Sequence, residues 1–322
     1  MSTLAAKAEL LEDRGEAATD DQFFRSRPFL DAEGVTHTLR IESEAGELFA
    51  PLIIREIEGT DRRDAISPYG YPGLGRGRAF VPIGAISSAA LDPAGIEWSA
   101  TGLISVFLRH TLEEPPLTAA TERNVVQIAD PQLPPKSRPS DRRQVRRNFE
   151  AGYAMELVSG SDTTPDQRAG FLDVYEQTMR RTDAAPHYFF GAPYFDRILE
   201  AERTWLALAL APDGALAAAS LAVVSDGYLH YYLSGSADSH LRDSPMKNVV
   251  ARLVEHSTEL GLPLNLGGGI APGDALEEFK RGFANRQQAW LTSELICDPS
   301  AYARLSAGAQ TTDYFPAYRA KS

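Results

Sequence analysis

Three apolar runs, at residues 205–210, 217–224 and 228–234, are separated by Pro212-Asp213-Gly214 and Ser225-Asp226-Gly227. Asp-Gly between apolar runs signals a hairpin, because tight hairpin turns need positive φ and these residues tolerate it. The region therefore reads as an antiparallel meander. A helix should follow it. Ser244 can cap that helix, Pro245 suits its first position, and Met246, Val249, Val250, Leu253, Val254, Ser257 and Leu260 recur at helical spacing before Gly261 ends it. Residues 263–266 read as a short buried strand entering Gly267-Gly268-Gly269. A last helix begins at Asp274, with Glu277 three residues on in a capping-box-like pairing, and residues 289–297 close as a strand.

Upstream, residues 36–42 and 47–55 read as a hairpin around Ser43-Glu44-Ala45-Gly46, and residues 124–129 as a short strand. Residues 98–110 suit a strand or a buried helix equally, since a short apolar run does not separate the two. Pro131 to Pro139 is a proline-rich connector. Ser140 then caps a helix that Gly152 stops, and residues 153–158 resume as a strand. Residues 166–181 are helical, with Phe171, Val174, Tyr175 and Met179 on one face, and residues 194–201 form a shorter helix.

The 322 residues suit two domains, and 43% hydrophobic with 24% charged residues allows a sizeable core. Residues 1–20 are Ala-rich and acidic, lack the features of a targeting peptide and are expected to be flexible. The longest apolar region, residues 205–224, is broken by Pro-Asp-Gly, so no membrane insertion is expected. A single cysteine, Cys297, rules out an internal disulfide, lies in an apolar run and suits the core better than catalysis. These features together suit a cytoplasmic protein. The net charge of −12 opposes broad binding of nucleic acid but allows a local basic site. His37, His110, His187, His230, His240 and His256 lack metal-ligand spacing, so no metal is expected. Neither a Walker loop nor a Gly-x-Ser-x-Gly elbow is present.

Five segments in order resemble the Fem family of aminoacyl-tRNA-dependent transferases, whose members build peptidoglycan cross-bridges and some peptide natural products. They are Ser67-Pro68-Tyr69-Gly70-Tyr71, Arg142-Arg143-Gln144-Val145-Arg146-Arg147, the run from His230 to Ser236, Phe279-Lys280-Arg281-Gly282-Phe283, and Tyr314-Phe315-Pro316-Ala317-Tyr318-Arg319. The resemblance implies an α/β (α+β) chain of two GNAT-like domains, with mixed, mostly antiparallel sheets flanked by helices. The tail would return to the first domain. The element order of the second half, a β-hairpin, strand, long helix, strand, helix and strand, also suits the GNAT type. The expected domains are residues 1–152 plus 299–322, and residues 153–298, although the sequence shows no internal repeat. Two departures stand out: the chain lacks the long charged helical arm of several members, and it has no aspartate close after Ser-Pro-Tyr, where the family has a suspected base.

Lys280 carries the strongest chemical signal. Helical geometry places it among Leu276, Phe279 and Phe283, inside an apolar arc, where a lysine must find a partner or snorkel to water. The resemblance maps the family's functional Phe-Lys pair onto Phe279 and Lys280. The lysine would stabilise the oxyanion of the tetrahedral intermediate or the terminal tRNA phosphate. Arg142, Arg143, Arg146 and Arg147 share a helix face as a local basic patch for tRNA phosphates, or simply as a solvated face. Tyr69 and Tyr71 would border the acceptor site by resemblance, against a reading as turn packing. Tyr231 and Tyr232 alternate on a strand, so one faces inward. Ser234 and Arg181 complete the substrate-binding candidates.

The leading expectation is transfer of an aminoacyl group from aminoacyl-tRNA to an amine of a peptide-like acceptor. That acceptor would be a specialised-metabolite intermediate, favoured slightly by the missing arm, or a peptidoglycan precursor. The tRNA ester is already activated, so no cofactor is needed. An acyl-coenzyme-A-dependent N-acyltransferase is the alternative, but residues 234–243 lack the Arg/Gln-x-x-Gly-x-Gly/Ala phosphate grip. A non-catalytic binding protein on the tandem fold is the third reading. The oligomeric state is left open.

Overall fold

The computed structural model describes residues 6–43, 46–75, 91–113, 117–309 and 314–320. They form two compact units, Met1–Arg123 with Trp290–Ser322, and Asn124–Ala289. Both boundaries fall inside strands, and neither coincides with the expected ones at residues 152 and 298. The arginine-bearing helix, Pro139–Glu150, packs on Met246–Leu260 and so belongs to the second unit.

The first unit begins with β1 (Ala6–Leu11), α1 (Arg27–Ala32), β2 (His37–Ser43), β3 (Gly46–Glu56), β4 (Arg63–Ile66), β5 (Ile96–Glu97) and β6 (Leu103–Arg109). Within the run at 98–110, Leu103–Arg109 is thus a strand, preceded by a 3-10 turn at Ser99–Thr101. The hairpin matches expectation, although Glu44 and Ala45 of its turn lie outside the described residues. From Ala6 onward the expected flexibility of residues 1–20 is corrected, since β1 pairs along its whole length with β2, while residues 1–5 lie outside the described residues. Ala6 and Ala8 are buried while Lys7 is exposed. Alternation carried only by alanines has little hydrophobic contrast, which hid the strand. Asp13 then accepts from the backbone of Gly15 and Ala17 and from the Thr38 hydroxyl, fixing the following turn.

The second unit contains β7 (Ala120–Ala129), which crosses its boundary, α2 (Pro139–Glu150), β8 (Ala154–Ser159), α3 (Pro165–Arg181), α4 (Ala192–Ile198), β9 (Thr204–Leu210), β10 (Leu216–Ser225), β11 (Tyr228–Ser236), α5 (Met246–Leu260), β12 (Leu264–Asn265) and α6 (Ala275–Arg281). The chain then enters β13 (Arg286–Ile296) and α7 (Pro299–Leu305).

In the first unit the strands run β5-β1-β2-β3-β4-β6-β13, antiparallel except for β1 with β5 and β4 with β6. Leu39, Ile41, Ala50, Leu52, Val106, Leu108 and Leu295 build its core. The tail belongs to this unit. The Tyr318 hydroxyl lies 2.8 Å from Ser105 Oγ and donates to Asp64 Oδ2 at 3.0 Å. Arg319 Nε donates to the same oxygen at 2.6 Å, and Arg55 Nε to Asp64 Oδ1 at 2.7 Å. A carboxylate as fully buried as Asp64 needs these partners. Cys297 is half-buried against the core, and burial raises its thiol pKa.

In the second unit the order is β7-β12-β11-β10-β9-β8. The meander forms as expected, and at the tight β10–β11 turn Asp226 and Gly227 have φ of 49° and 77°. β10 is buried on both faces. Ala218, Ala222 and Val224 pack in the α5 core with Val249, Val250 and Leu253. The intervening residues face the side of α3, since strand side chains alternate. There the strand partner of Ala219 is Gly235, which touches the α3 backbone. Two helix caps differ from expectation, by two residues at α2 and by one at α5. Pro139, not Ser140, opens α2, with Arg138 at its N-cap, and Pro245 rather than Ser244 precedes α5. Among the described residues no helix is long and apolar enough to cross a membrane.

A Cβ at Gly235 would lie 2.3 Å from the carbonyl oxygen of Val174, a backbone atom that cannot swing away. Gly235→Ala should therefore destabilise the protein by about 1–3 kcal/mol, as overpacking does, read as a lower midpoint in urea unfolding.

Candidate active site

The site is built from the chain that links β12 to α6. Asp274 caps α6: its Oδ1 accepts from Glu277 N at 2.7 Å, and its Oδ2 from Ile270 N at 2.6 Å and Ala271 N at 3.0 Å. These bonds hold its pKa below the ordinary value. The expected reciprocal bond is displaced by one residue, because Glu277 accepts from Gly273 N at 2.7 Å and not from Asp274 N. With the cap fixed, the last turn of α6 carries Lys280 inward.

Lys280 is 8% exposed, and its Nζ donates to Gly268 O at 2.6 Å. Burial pulls its pKa from 10.5 down to about 8, opposed by the negative charge of Asp274. Lysine thus turns into the protein and does not snorkel. Phe279 is half-buried against the α5 core, its ring edge-on to Phe283 at 5.8 Å, so it packs α6 onto the sheet.

The glycine run permits this arrangement. Gly267 has φ of 75°, and a Cβ there would lie 3.1 Å from Lys280 Nζ. A Cβ on Gly268 would lie 2.5 Å from the Asn124 side chain. Asn124 Nδ2 donates to Gly269 O at 2.9 Å while its Oδ1 accepts from Val125 N at 2.8 Å. On the strand side, Asn265 Oδ1 accepts from Gly267 N at 2.9 Å and its Nδ2 lies 3.0 Å from His230 Nδ1. His230 Nε2 lies 3.2 Å from Ser225 O. That network calls for a neutral imidazole protonated on Nε2. Burial agrees, lowering the His230 pKa to about 4. Asn124 and Asn265 escaped the sequence reading. Their only signal was a polar residue in an apolar strand facing a glycine run.

The other candidates divide by surroundings. The Tyr231 hydroxyl lies 2.6 Å from Ser234 Oγ. Simple alternation would put residues three apart on opposite faces. A bulge places Tyr232 as the extra residue between Tyr231, opposite Ala222, and Leu233, opposite Leu221. Burial lifts the Tyr231 pKa to about 12. The Tyr232 hydroxyl lies 3.1 Å from that of Tyr194. Arg181 forms an ion pair with Asp238 and donates to Ser236 O at 3.3 Å and Thr178 Oγ1 at 3.0 Å, which ties the end of α3 to the end of β11.

On α2, Arg142 and Arg146 form one stripe and Arg143 and Arg147 the neighbouring one. Arg142 donates to Ser137, and Arg146 lies 3.7 Å from Glu150. Arg143 and Arg147 are exposed and have no ion pair among the described residues. In the first unit, Tyr71 packs edge-on to Phe24 at 5.5 Å and Trp290 at 5.4 Å, and Tyr69 N donates to Glu33 Oε2 at 2.7 Å. Tyr71 thus has the aromatic packing of a rigid turn, and Tyr69 is anchored there through its backbone. Among the described residues no cluster of three or more metal-ligating side chains occurs.

The Lys280 pKa links to stability. Below about pH 8 the lysine is protonated in both folded and unfolded chains. Between there and 10.5 the unfolded chain holds the extra proton, so folding gains stability as pH rises. Wild type should gain about 2–3 kcal/mol across that window relative to Lys280→Met, measured by urea unfolding at a series of pH values.

Residues 135–281 match the acetyltransferase (GNAT) domain family. No curated protein sequence matches the chain. Among solved structures it is similar to FemX, at 10% identity and TM-score 0.58, with 91% of this chain and 97% of that one covered. It is also similar to the C-terminal domain of a putative lysylphosphatidylglycerol synthetase from Agrobacterium fabrum, at 16% identity and TM-score 0.55 over 90% and 93% of the two chains. L-PGS from Bacillus licheniformis follows at 13% identity and TM-score 0.52 over 81% and 84%. The chain is therefore a mixed α/β protein with a FemX-like fold, and the stretch of its second unit from residue 135 to 281 resembles acetyltransferase (GNAT) domains.

Proposed function

We propose that the protein transfers an aminoacyl group from aminoacyl-tRNA to an amine of a small peptide-like acceptor. The acceptor nitrogen attacks the ester carbonyl, the carbonyl carbon's bond to the ribose oxygen breaks, and the proton lost by the amine ends on the released tRNA hydroxyl. Lys280 supports this reading most directly. An ammonium has three donors, and among the described residues one of them, to Gly268 O, finds a hydrogen-bond partner. The other two are held, largely out of water, for an oxyanion or phosphate. The exposed arginines of α2 suit tRNA phosphates, although the chain as a whole is acidic. The likeness to FemX and to a lysylphosphatidylglycerol synthetase, whose named product carries a lysyl group, points the same way. A specialised-metabolite intermediate and a peptidoglycan precursor both satisfy the acceptor chemistry.

Acyl transfer from coenzyme A is the second reading, favoured by the acetyltransferase match over residues 135–281. Against it, the segment entering α5 is a 3-10 turn, Asp238–Asp243, bounded by carboxylates. Asp243 accepts from Tyr153 Oη at 2.7 Å and, through its carbonyl, from Asn148 Nδ2 at 2.8 Å, which leaves a poor pyrophosphate cradle.

Incubation with a pool of labelled aminoacyl-tRNAs and amine acceptors should move label into an acid-stable amide, whereas consumption of acyl-coenzyme A with no loss of aminoacyl label would sink the proposal. Lys280→Ala should lower the transfer rate by about 10²–10³. The wild-type rate should fall as pH rises through about 8, where the buried lysine loses its charge. Lys280→Arg, if active, should abolish that fall.

A further inference from the structure

The second unit contains a cavity of about 540 Å³ between α2, α5 and the 131–137 connector, distinct from the glycine run that holds Lys280. We propose that this groove binds a single long-chain anionic amphiphile, with the alkyl chain inside and the anionic head on Arg142 and Arg146. The proposal does not rest on the transfer reaction.

Leu133, Val145, Phe149, Val254 and Phe283 line the groove, and Phe149 is left 50% exposed and Leu133 41% exposed. The polar groups among them are already engaged. Asn285 bonds the backbone of Asp130 through both ends of its amide and also reaches Pro134 O. The hydroxyls of Ser257 and Thr258 donate to Val254 O. A nucleobase or peptide entering here would lose water without finding partners, whereas an alkyl chain has no polar edge to satisfy.

The rim selects the head group. Lys136, Arg142 and Arg146 stand at the opening. Of the acids nearby, Asp130 is paired with Arg286 at 3.3 Å and Glu255 lies 3.8 Å from Arg252, while the 3.7 Å contact of Glu150 with Arg146 is solvent-exposed on both sides and is the one a head group has to displace. The net charge of −12 repels an extended anionic bilayer. A single head group at the rim is within roughly 8 Å of the cations, the range over which they outweigh more distant charge. Arg143 and Arg147, on the neighbouring stripe, do not line the groove, so the four arginines separate into two roles.

Calorimetric titration of the full chain with dodecyl phosphate, below its micelle concentration, tests the proposal. One saturable site is expected. Butyl phosphate should bind at least about 100-fold more weakly, having lost most of the apolar burial. Dodecyltrimethylammonium, with the opposite charge, should bind at least about 10-fold more weakly. Arg142→Glu with Arg146→Glu should weaken dodecyl phosphate by about 10–100-fold, while Arg143→Glu with Arg147→Glu should change it by less than about threefold. Ala251→Trp, which fills the groove, should abolish binding in a chain whose melting temperature shows it folded. Equal binding of butyl phosphate or of the cationic detergent, equal loss in both arginine pairs, or no binding to the folded wild type would overturn the proposal. So would stoichiometric displacement by a short single-stranded RNA, which would make the groove a nucleic-acid site.

Discussion

An ammonium group taken out of water must find oxygen or give up its proton, and the arrangement around Lys280 follows from that requirement. The carbonyl of Gly268 supplies the oxygen at 2.6 Å. A carbonyl can be presented this way only where the backbone can come close, so the three glycines and the lysine form one device. Asn124 grips the far end of the run, and Asn265, fixed by a neutral His230, grips the near end. Asp274 sets the angle of the helix that delivers the lysine, and its charge partly offsets the cost of burying the ammonium. Asn265 and His230 are buried and hydrogen-bonded, as polar groups in a low-dielectric interior must be, while Asn124 and Asp274 are half-buried.

The surrounding sheet serves this device through small side chains. Ala217, Ala218, Ala219 and Ala222 on β10, with Gly235 on β11, leave room for α3 and α5 to close on the strands. The bulge at Tyr232 breaks the regular ladder beside Ser234 and turns two hydroxyls toward each other. A regular strand would have sent them to opposite faces.

Charge is distributed with similar economy. The net negative charge discourages indiscriminate binding of polyanions, and α2 sets four exposed arginines against it. Elsewhere Arg181 is tied to Asp238, and Arg55 and Arg319 to the buried Asp64. Those on α2 flank an apolar groove on one stripe and face solvent on the other.

The meander, the helix after it, the capped turn at Asp274 and the position of Lys280 within an apolar arc were legible in the sequence, because each depends on contacts within a few residues: Asp-Gly φ preferences, the 3.6-residue period, a carboxylate three residues from an amide. β1 was not legible, since alanines at alternate positions say little until β2 lies beside them. Nor were the roles of Asn124, Asn265 and His230, which lie 141 to 35 residues apart in sequence and meet only through strand pairing. The chain alone determined most of the second-unit helices and strands and singled out Lys280 as the lysine set in an apolar arc. The tertiary structure decided where that ammonium would find its carbonyl, which tyrosines would pack and which arginines would stay unpaired, because those outcomes depend on distances between atoms that only folding brings together.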